Sequence, residues 1–163
     1  MGVDPGTVVC GYGIIDDRDG EISLVACDAV KCRPRSAMGE RLLAVYRELN
    51  RAAVTFRPDG MAIETPFVGE NVKSALAVGK AQAIALLVAA EHNIPCYEYS
   101  PARIKQSVSD YGASGKEQMQ EMVKLLLGLD ELPQPHDAAD GLAVAICHLR
   151  EARLHEMMEQ GNA

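Results

Sequence analysis

Val8-Val-Cys-Gly-Tyr-Gly-Ile-Ile-Asp-Asp17 and Glu21-Ile-Ser-Leu-Val-Ala-Cys-Asp-Ala-Val-Lys31 are two β-rich runs joined across Asp17-Arg-Asp-Gly20. Branched and aromatic residues suit a pleated strand, and the Asp-Gly step suits a tight reversal, so the stretch reads as a β-hairpin. Met1 to Asp4 reads as a very short strand before it. Met38 to Phe56 places Leu42, Leu43, Tyr46, Leu49 and Ala53 at helical spacing, and Arg57-Pro-Asp-Gly60 stops that helix. Met61 to Glu64 is a short buried strand. Asn71 to His92 is a long Ala- and Leu-rich helix ended by Asn93 and Pro95. Pro95 to Tyr99 is a further strand, and Ala102 to Ser109 forms one or two helical turns. Gly112-Ala-Ser-Gly115 is a loop, Gln118 to Leu127 a helix, Leu132-Pro-Gln-Pro135 a rigid linker, and Asp137 to Met158 the last helix. A hairpin followed by β-α alternation implies an α/β fold with a mixed sheet covered by helices. With 163 residues, no internal repeat and no domain-sized linker, residues 1–158 form a single domain and 159–163 a frayed tail.

The composition excludes several classes. Hydrophobic residues make up 48%, an ordinary globular share. Cys10, Cys27, Cys32, Cys96 and Cys147 are odd in number and form no C-x-x-C pair, which points to reduced, mostly buried thiols in a cytoplasmic protein. Asp4 stands where a secretory signal would be apolar, and the run Ala83 to Ala90 is too short to span a bilayer, so no membrane role is expected. The net charge of −7 argues against generic nucleic-acid binding, but it is uneven. Lys31 to Arg57 carries a local +5, whereas residues 1–30 and 130–163 each carry −5. The surplus acid lies in the segments holding the carboxylates considered next, and bound divalent cations would offset part of it.

Three acidic signals stand where an α/β sheet gathers its ligands. Asp4 precedes Pro-Gly at the end of the first strand. Glu64 closes the apolar run Met61-Ala-Ile. Asp137 and Asp140 open the last helix in Pro135-His-Asp-Ala-Ala-Asp140. Each has an ordinary explanation. Asp-Pro-Gly is turn chemistry, Glu64 could sit in solvent or a salt bridge, and Asp-x-x-Asp caps a helix and complements its dipole. A spacing of three also puts both aspartates on one helical face, where they could supply oxygen ligands. An all-oxygen set suits Mg²⁺ or Mn²⁺ and not zinc. Two such ions can activate a water and stabilise a leaving oxygen in phosphodiester hydrolysis. His136 could shuttle a proton, although a lone His in a Pro-rich turn is usually neither shuttle nor ligand.

Four stretches together resemble the RuvC-type Holliday-junction resolvases, which have an RNase H-like fold. They are Gly2-Val-Asp-Pro-Gly-Thr7 with Gly11-Tyr-Gly-Ile-Ile15; Ala62-Ile-Glu-Thr-Pro-Phe67 with Asn71 and Ser74-Ala-Leu76; Glu98-Tyr-Ser-Pro101 with Ile104-Lys-Gln106, Tyr111-Gly and Lys116; and His136-Asp-Ala-Ala-Asp-Gly-Leu-Ala-Val-Ala145. The resemblance implies a homodimeric endonuclease that makes paired symmetric nicks in a four-way DNA junction and works beside the RuvA–RuvB branch-migration complex. It implies an RNase H-like five-stranded mixed sheet with helices on both faces, and two Mg²⁺ ions per site with Mn²⁺ as substitute. Asp4, Glu64, Asp137 and Asp140 match the family's metal-binding acids. Lys105 and Lys116 match its basic residues near the scissile phosphate, Phe67 its base-stacking aromatic, and Asn71 a DNA contact. The chain departs from the pattern in a short first strand, in Lys80 and Gln82 where the family places a Gln and an Arg, and in its acidic balance. Two rival readings remain at this point. An RNase H-like nucleotide-binding ATPase would want a second Gly-rich phosphate loop, and none is evident. A non-catalytic junction-binding protein would not need the intact acid set.

Overall fold

The computed structural model describes residues 1–66, 71–108 and 115–160. Five strands form one mixed sheet in the order β3-β2-β1-β4-β5. The strands are β1 (Gly2–Asp4), β2 (Val9–Arg18), β3 (Glu21–Lys31), β4 (Met61–Glu64) and β5 (Cys96–Tyr99). β2 and β3 form the hairpin anticipated from sequence. Its turn carries Asp19 and Gly20 at φ 53° and 95°, the left-handed region that an Asp-Gly step supplies cheaply. β1 pairs antiparallel with β2 and parallel with β4, and β4 pairs parallel with β5. The central strand is thus only three residues long, but it is bonded on both edges.

The helices cover both faces. They are α1 (Met38–Phe56), α2 (Val72–Glu91), α3 (Pro101–Val108), α4 (Lys116–Leu126) and α5 (Ala138–Gln160). On one face Val45, Leu49 and Ala52 of α1 and Ala85 and Val88 of α2 pack on Val3, Cys10, Tyr12, Met61 and Ile63. Complete burial of a side chain such as Leu49 or Ile63 contributes about 1.5–3 kcal/mol. On the other face, Leu142, Ala143, Val144, Ile146 and Cys147 of α5 join Ala62, with Ile104 and Val108 of α3 and Val123 of α4 beyond them. α5 is therefore enclosed between the sheet and a second helical layer, which explains its continuous buried run Leu142 to Cys147.

Glycine fixes how closely α5 lies on the sheet. A Cβ on Gly11 would stand 2.2 Å from the Asp137 carbonyl oxygen, and one on Gly141 would stand 2.5 Å from Tyr12 Cα. Neither site has room for even a methyl group, so backbone rests on backbone.

The element boundaries refine the sequence reading. α4 begins at Lys116 rather than Gln118, and α3 spans Pro101–Val108. α5 continues to Gln160, so Glu159 and Gln160 are helical where a frayed tail was expected. Fewer thiols are buried than expected. Cys10 and Cys147 are buried, Cys27 and Cys32 are half-buried, and Cys96 is exposed; all five are free. By length and composition α2 is apolar enough to cross a bilayer, yet its Ala75, Ala81, Ala85, Val88 and Ala89 are buried in this fold.

Candidate active site

Asp4 and Glu64 end adjacent parallel strands. Val3 lies opposite Ile63 in the register, so the next residue on each strand is the acid. Val3 and Ile63 are fully buried while Asp4 and Glu64 are half-buried, which places both carboxylates where the sheet emerges toward solvent. This is the edge where α/β sheets bind ligands. The Glu64 strand end is tied down through Thr65, whose backbone N–H donates to Tyr99 O at 2.8 Å and whose hydroxyl donates to the same oxygen at 3.3 Å.

Asp140 arrives from the first turn of α5. The seating of that helix on Gly11 brings it in, and Gly11 is itself the register partner of Asp4. Asp4, Glu64 and Asp140 line a cavity of about 230 Å³ together with Lys105 of α3. A larger groove of about 760 Å³ also begins at Asp4 and Glu64 and runs past Thr65, Asn71, Ser74 and Val78. Asn71 caps α2 there, its Oδ1 accepting from Ser74 N–H at 3.0 Å. The acids thus stand at the junction of a small chamber and an open groove.

Their electrostatics are unfavourable. Burial, the charge of Asp4, a hydrogen bond with Asp4 and the charge of Asp140 push the Glu64 carboxyl up to about 8, and Lys105 opposes them. Carboxylates crowded in this way disfavour full ionisation, and a nearby cation reverses that preference.

Asp137 lies one residue before α5. Its Oδ2 is 3.3 Å from Lys31 Nζ at the end of β3. The structure thus brings Asp4, Glu64 and Asp140 to one cavity, whereas Asp137 is not among the residues lining it and pairs with Lys31. Among the described residues, no three His, Cys, Asp or Glu side chains are grouped tightly enough to chelate an ion as they stand. His136 is exposed, with its carbonyl accepting from Gln120 Nε2 at 3.5 Å. Lys116 opens α4. Phe67 and residues 112–114 of the anticipated loop lie outside the described residues. Lys80 is exposed, and Gln82 donates to Glu98 Oε1 at 3.0 Å, linking α2 to β5.

Sequence reasoning missed Lys31 as a neighbour of an acid, and Gly11 as the seat of α5. The alternation Gly11-Tyr-Gly13 carried a signal for the second, since it leaves one face of a strand without side chains. Nothing local signalled the first, because β3 and Asp137 meet only through the fold.

The chain is similar to known proteins over nearly its full length. The family described as "Crossover junction endodeoxyribonuclease RuvC" matches residues 1–148. A protein of that name from Dehalococcoides mccartyi is 49% identical over 162 residues, covering 99% of this chain and 98% of its own length. One from Roseiflexus sp. is 44% identical over 161 residues, covering 99% and 96%. The structure of Thermus thermophilus RuvC is 32% identical with a TM-score of 0.84, covering 94% of this chain and 95% of that one. T. thermophilus RuvC in complex with a Holliday junction substrate has a TM-score of 0.85 at 32% identity, with 94% of each chain covered. The yeast mitochondrial Holliday junction resolvase Ydc2, at 13% identity and a TM-score of 0.62, shares the fold. With the acids at the sheet edge and these likenesses over nearly its full length, the chain belongs to the RuvC family of crossover junction endodeoxyribonucleases.

Proposed function

We propose that the protein resolves four-way DNA junctions by paired, symmetric, metal-dependent nicks during recombination and repair. The observation that carries this reading is the convergence of Asp4, Glu64 and Asp140 on one cavity with Lys105, at the mouth of a long groove. The junction-bound T. thermophilus relative supports the choice of substrate.

The residues fit a divalent cation in donor chemistry and charge. All the donors are carboxylate oxygens, the set preferred by Mg²⁺ and Mn²⁺, and their crowding holds Glu64 partly protonated until positive charge arrives. Asp4, Glu64, Asp140 and Asp137 would hold two Mg²⁺ ions. When bound, the cations supply a more acidic water and neutralise charge on the leaving oxygen. Lys105 faces the same cavity and offers a fixed positive charge to the scissile phosphate without reading sequence. Lys116, at the start of α4, is the second cation proposed to serve the scissile phosphate. The positive end of α5 points toward the same charge. Asn71 contacts DNA in the groove, Phe67 stacks on an unpaired base near the junction centre, and His136 serves as an auxiliary proton carrier.

Two copies are needed for two nicks, and a two-fold dimer matches a two-fold junction. α2 offers the surface. Val72 (56% exposed), Leu76 (64%) and Leu87 (61%) lie on the side away from the core, and apolar exposure of this kind marks an interface. The reading also implies a cytoplasmic protein that takes its substrate from the RuvA–RuvB branch-migration complex.

The decisive experiment is cleavage of a synthetic four-way junction by wild type and Asp4→Asn, in Mg²⁺ or EDTA. Paired nicks that require metal and vanish in the variant are expected. Tight junction binding without nicks under Mg²⁺ or Mn²⁺ would refute the nuclease reading and leave a junction-binding protein. A thermal shift with ATP in place of DNA binding would point to nucleotide chemistry.

A further inference from the structure

We infer that Lys31 is a positioning residue that exchanges partners during the reaction. Its ammonium holds Asp137 in the metal-free protein and passes to a DNA phosphate when cations occupy the acids. The inference rests on the functional reading above.

Three observations carry it. First, Lys31 Nζ stands 3.3 Å from Asp137 Oδ2, so the ammonium occupies the charge environment that a divalent cation would take at that carboxylate. Second, Lys31 is not committed to the pair. Its side chain is 64% exposed against 27% for Asp137, and an ion pair that open to water is weak enough to be exchanged. Third, Lys31 begins the basic stretch that ends at Arg57, and Arg33 and Arg35 follow it on the exposed turn after β3. That turn is fixed to the loop following Asp4. Cys32 N–H donates to Val8 O at 2.8 Å, and Arg41 Nη1 donates to Thr7 O at 3.4 Å. Lys31 therefore joins Asp137 to the start of the basic stretch. A phosphate bound beside Asp137 would be within reach of Lys31, and Arg33 and Arg35 follow it in the chain on an exposed turn.

The exchange makes an unusual demand on a single substitution: two affinities must move in opposite directions. Removing the ammonium removes a competitor for Asp137 and a like charge beside the incoming cation, so metal affinity rises. It also removes a phosphate contact, so DNA affinity falls. A merely structural role for Lys31 would lower both.

The test measures Mn²⁺ binding to the DNA-free protein by the electron paramagnetic resonance of free Mn²⁺. Alongside it, binding of a labelled four-way junction is measured across a salt series in fixed Ca²⁺, an oxygen-preferring cation that occupies the acids, with EDTA as the metal-free comparison in which the effect on junction binding should be smaller. For Lys31→Ala the Mn²⁺ Kd is expected to fall about three-fold. The junction Kd is expected to rise about three- to ten-fold, and the slope of log K against log salt to fall by about 0.9. Arg33→Ala should weaken junction binding and leave the Mn²⁺ Kd unchanged, and Lys31→Arg should restore junction binding. An unchanged or weakened Mn²⁺ affinity in Lys31→Ala overturns the inference, as does an unchanged junction affinity and salt slope. Failure of the functional reading looks different: wild type would bind Mn²⁺ and the junction, yet make no metal-dependent nicks.

Discussion

Glu64→Gln should stabilise the metal-free protein, although Glu64 is a proposed ligand. In the folded state its carboxyl is raised from the ordinary 4.5 to about 8, chiefly by burial and then by Asp4. Between those values the native protein binds a proton that the unfolded chain has released. Stability therefore falls as pH rises through this window, and the whole penalty is present above the folded value. At about 1.4 kcal/mol per pH unit, the span sets a ceiling of about 5 kcal/mol. Glu64 is half-buried beside an open groove, so water and side-chain relaxation reduce this to about 1–3 kcal/mol. The assay is urea unfolding in EDTA at pH 5 and pH 8.5 for wild type and variant. The Met1 amine, lowered by burial to about 6, and His148, also lowered by burial, both push stability up with pH. Their contributions cancel in the difference between the two proteins. The variant should gain on wild type mainly between the two pH values, and Mg²⁺ should raise the melting temperature of wild type alone. Equal stability at pH 8.5 in EDTA would show that neither burial nor the neighbouring acids penalise the Glu64 carboxylate, and the electrostatic account of the site would fail.

Gly11→Ala should cost about 1–3 kcal/mol in thermal or urea melts, because its methyl group would meet the Asp137 carbonyl and lift the start of α5 from β2. Gly39→Ala, where a Cβ meets nothing within 4 Å, should cost nothing; equal effects at the two sites would show that α5 does not rest on that strand. Leu76→Asp combined with Leu87→Asp should give a folded monomer by sedimentation with a native circular dichroism spectrum, since both side chains point away from the core. Retention of a dimer would exclude α2 as the interface.

Most of the fold was legible because its signals are local. The hairpin announces itself through Asp19-Gly20 and two β-rich runs, and α1 through the helical spacing of Leu42, Leu43, Tyr46, Leu49 and Ala53, although its buried stripe is Val45, Leu49, Ala52 and Ala53 and Leu43 is exposed. The start of α4 was harder, because its cap, Gly115, makes no side-chain hydrogen bond that a sequence could advertise. Asp4 and Glu64 were readable as carboxylates ending apolar strands, and the parallel register then made them neighbours. That they share a cavity with Lys105 was legible only through resemblance, since α3 reaches the site by folding over α5. The pairing of Lys31 with Asp137 was hidden altogether. Two residues more than a hundred positions apart leave no mark in each other's neighbourhood.

The bare contact between α5 and β2 also bears on how the enzyme tolerates change over time. Side chains that meet in a core have rotamers, and a lineage that alters one can adjust another. Main chain against main chain has no such freedom. Where Gly141 meets Tyr12 and Gly11 meets Asp137, the spacing is set by atoms common to every amino acid. The exposed C-terminal turns of the helix, from Leu154 to Glu159, can therefore diversify without moving Asp140, while drift at those glycines would be felt at once as a displaced carboxylate.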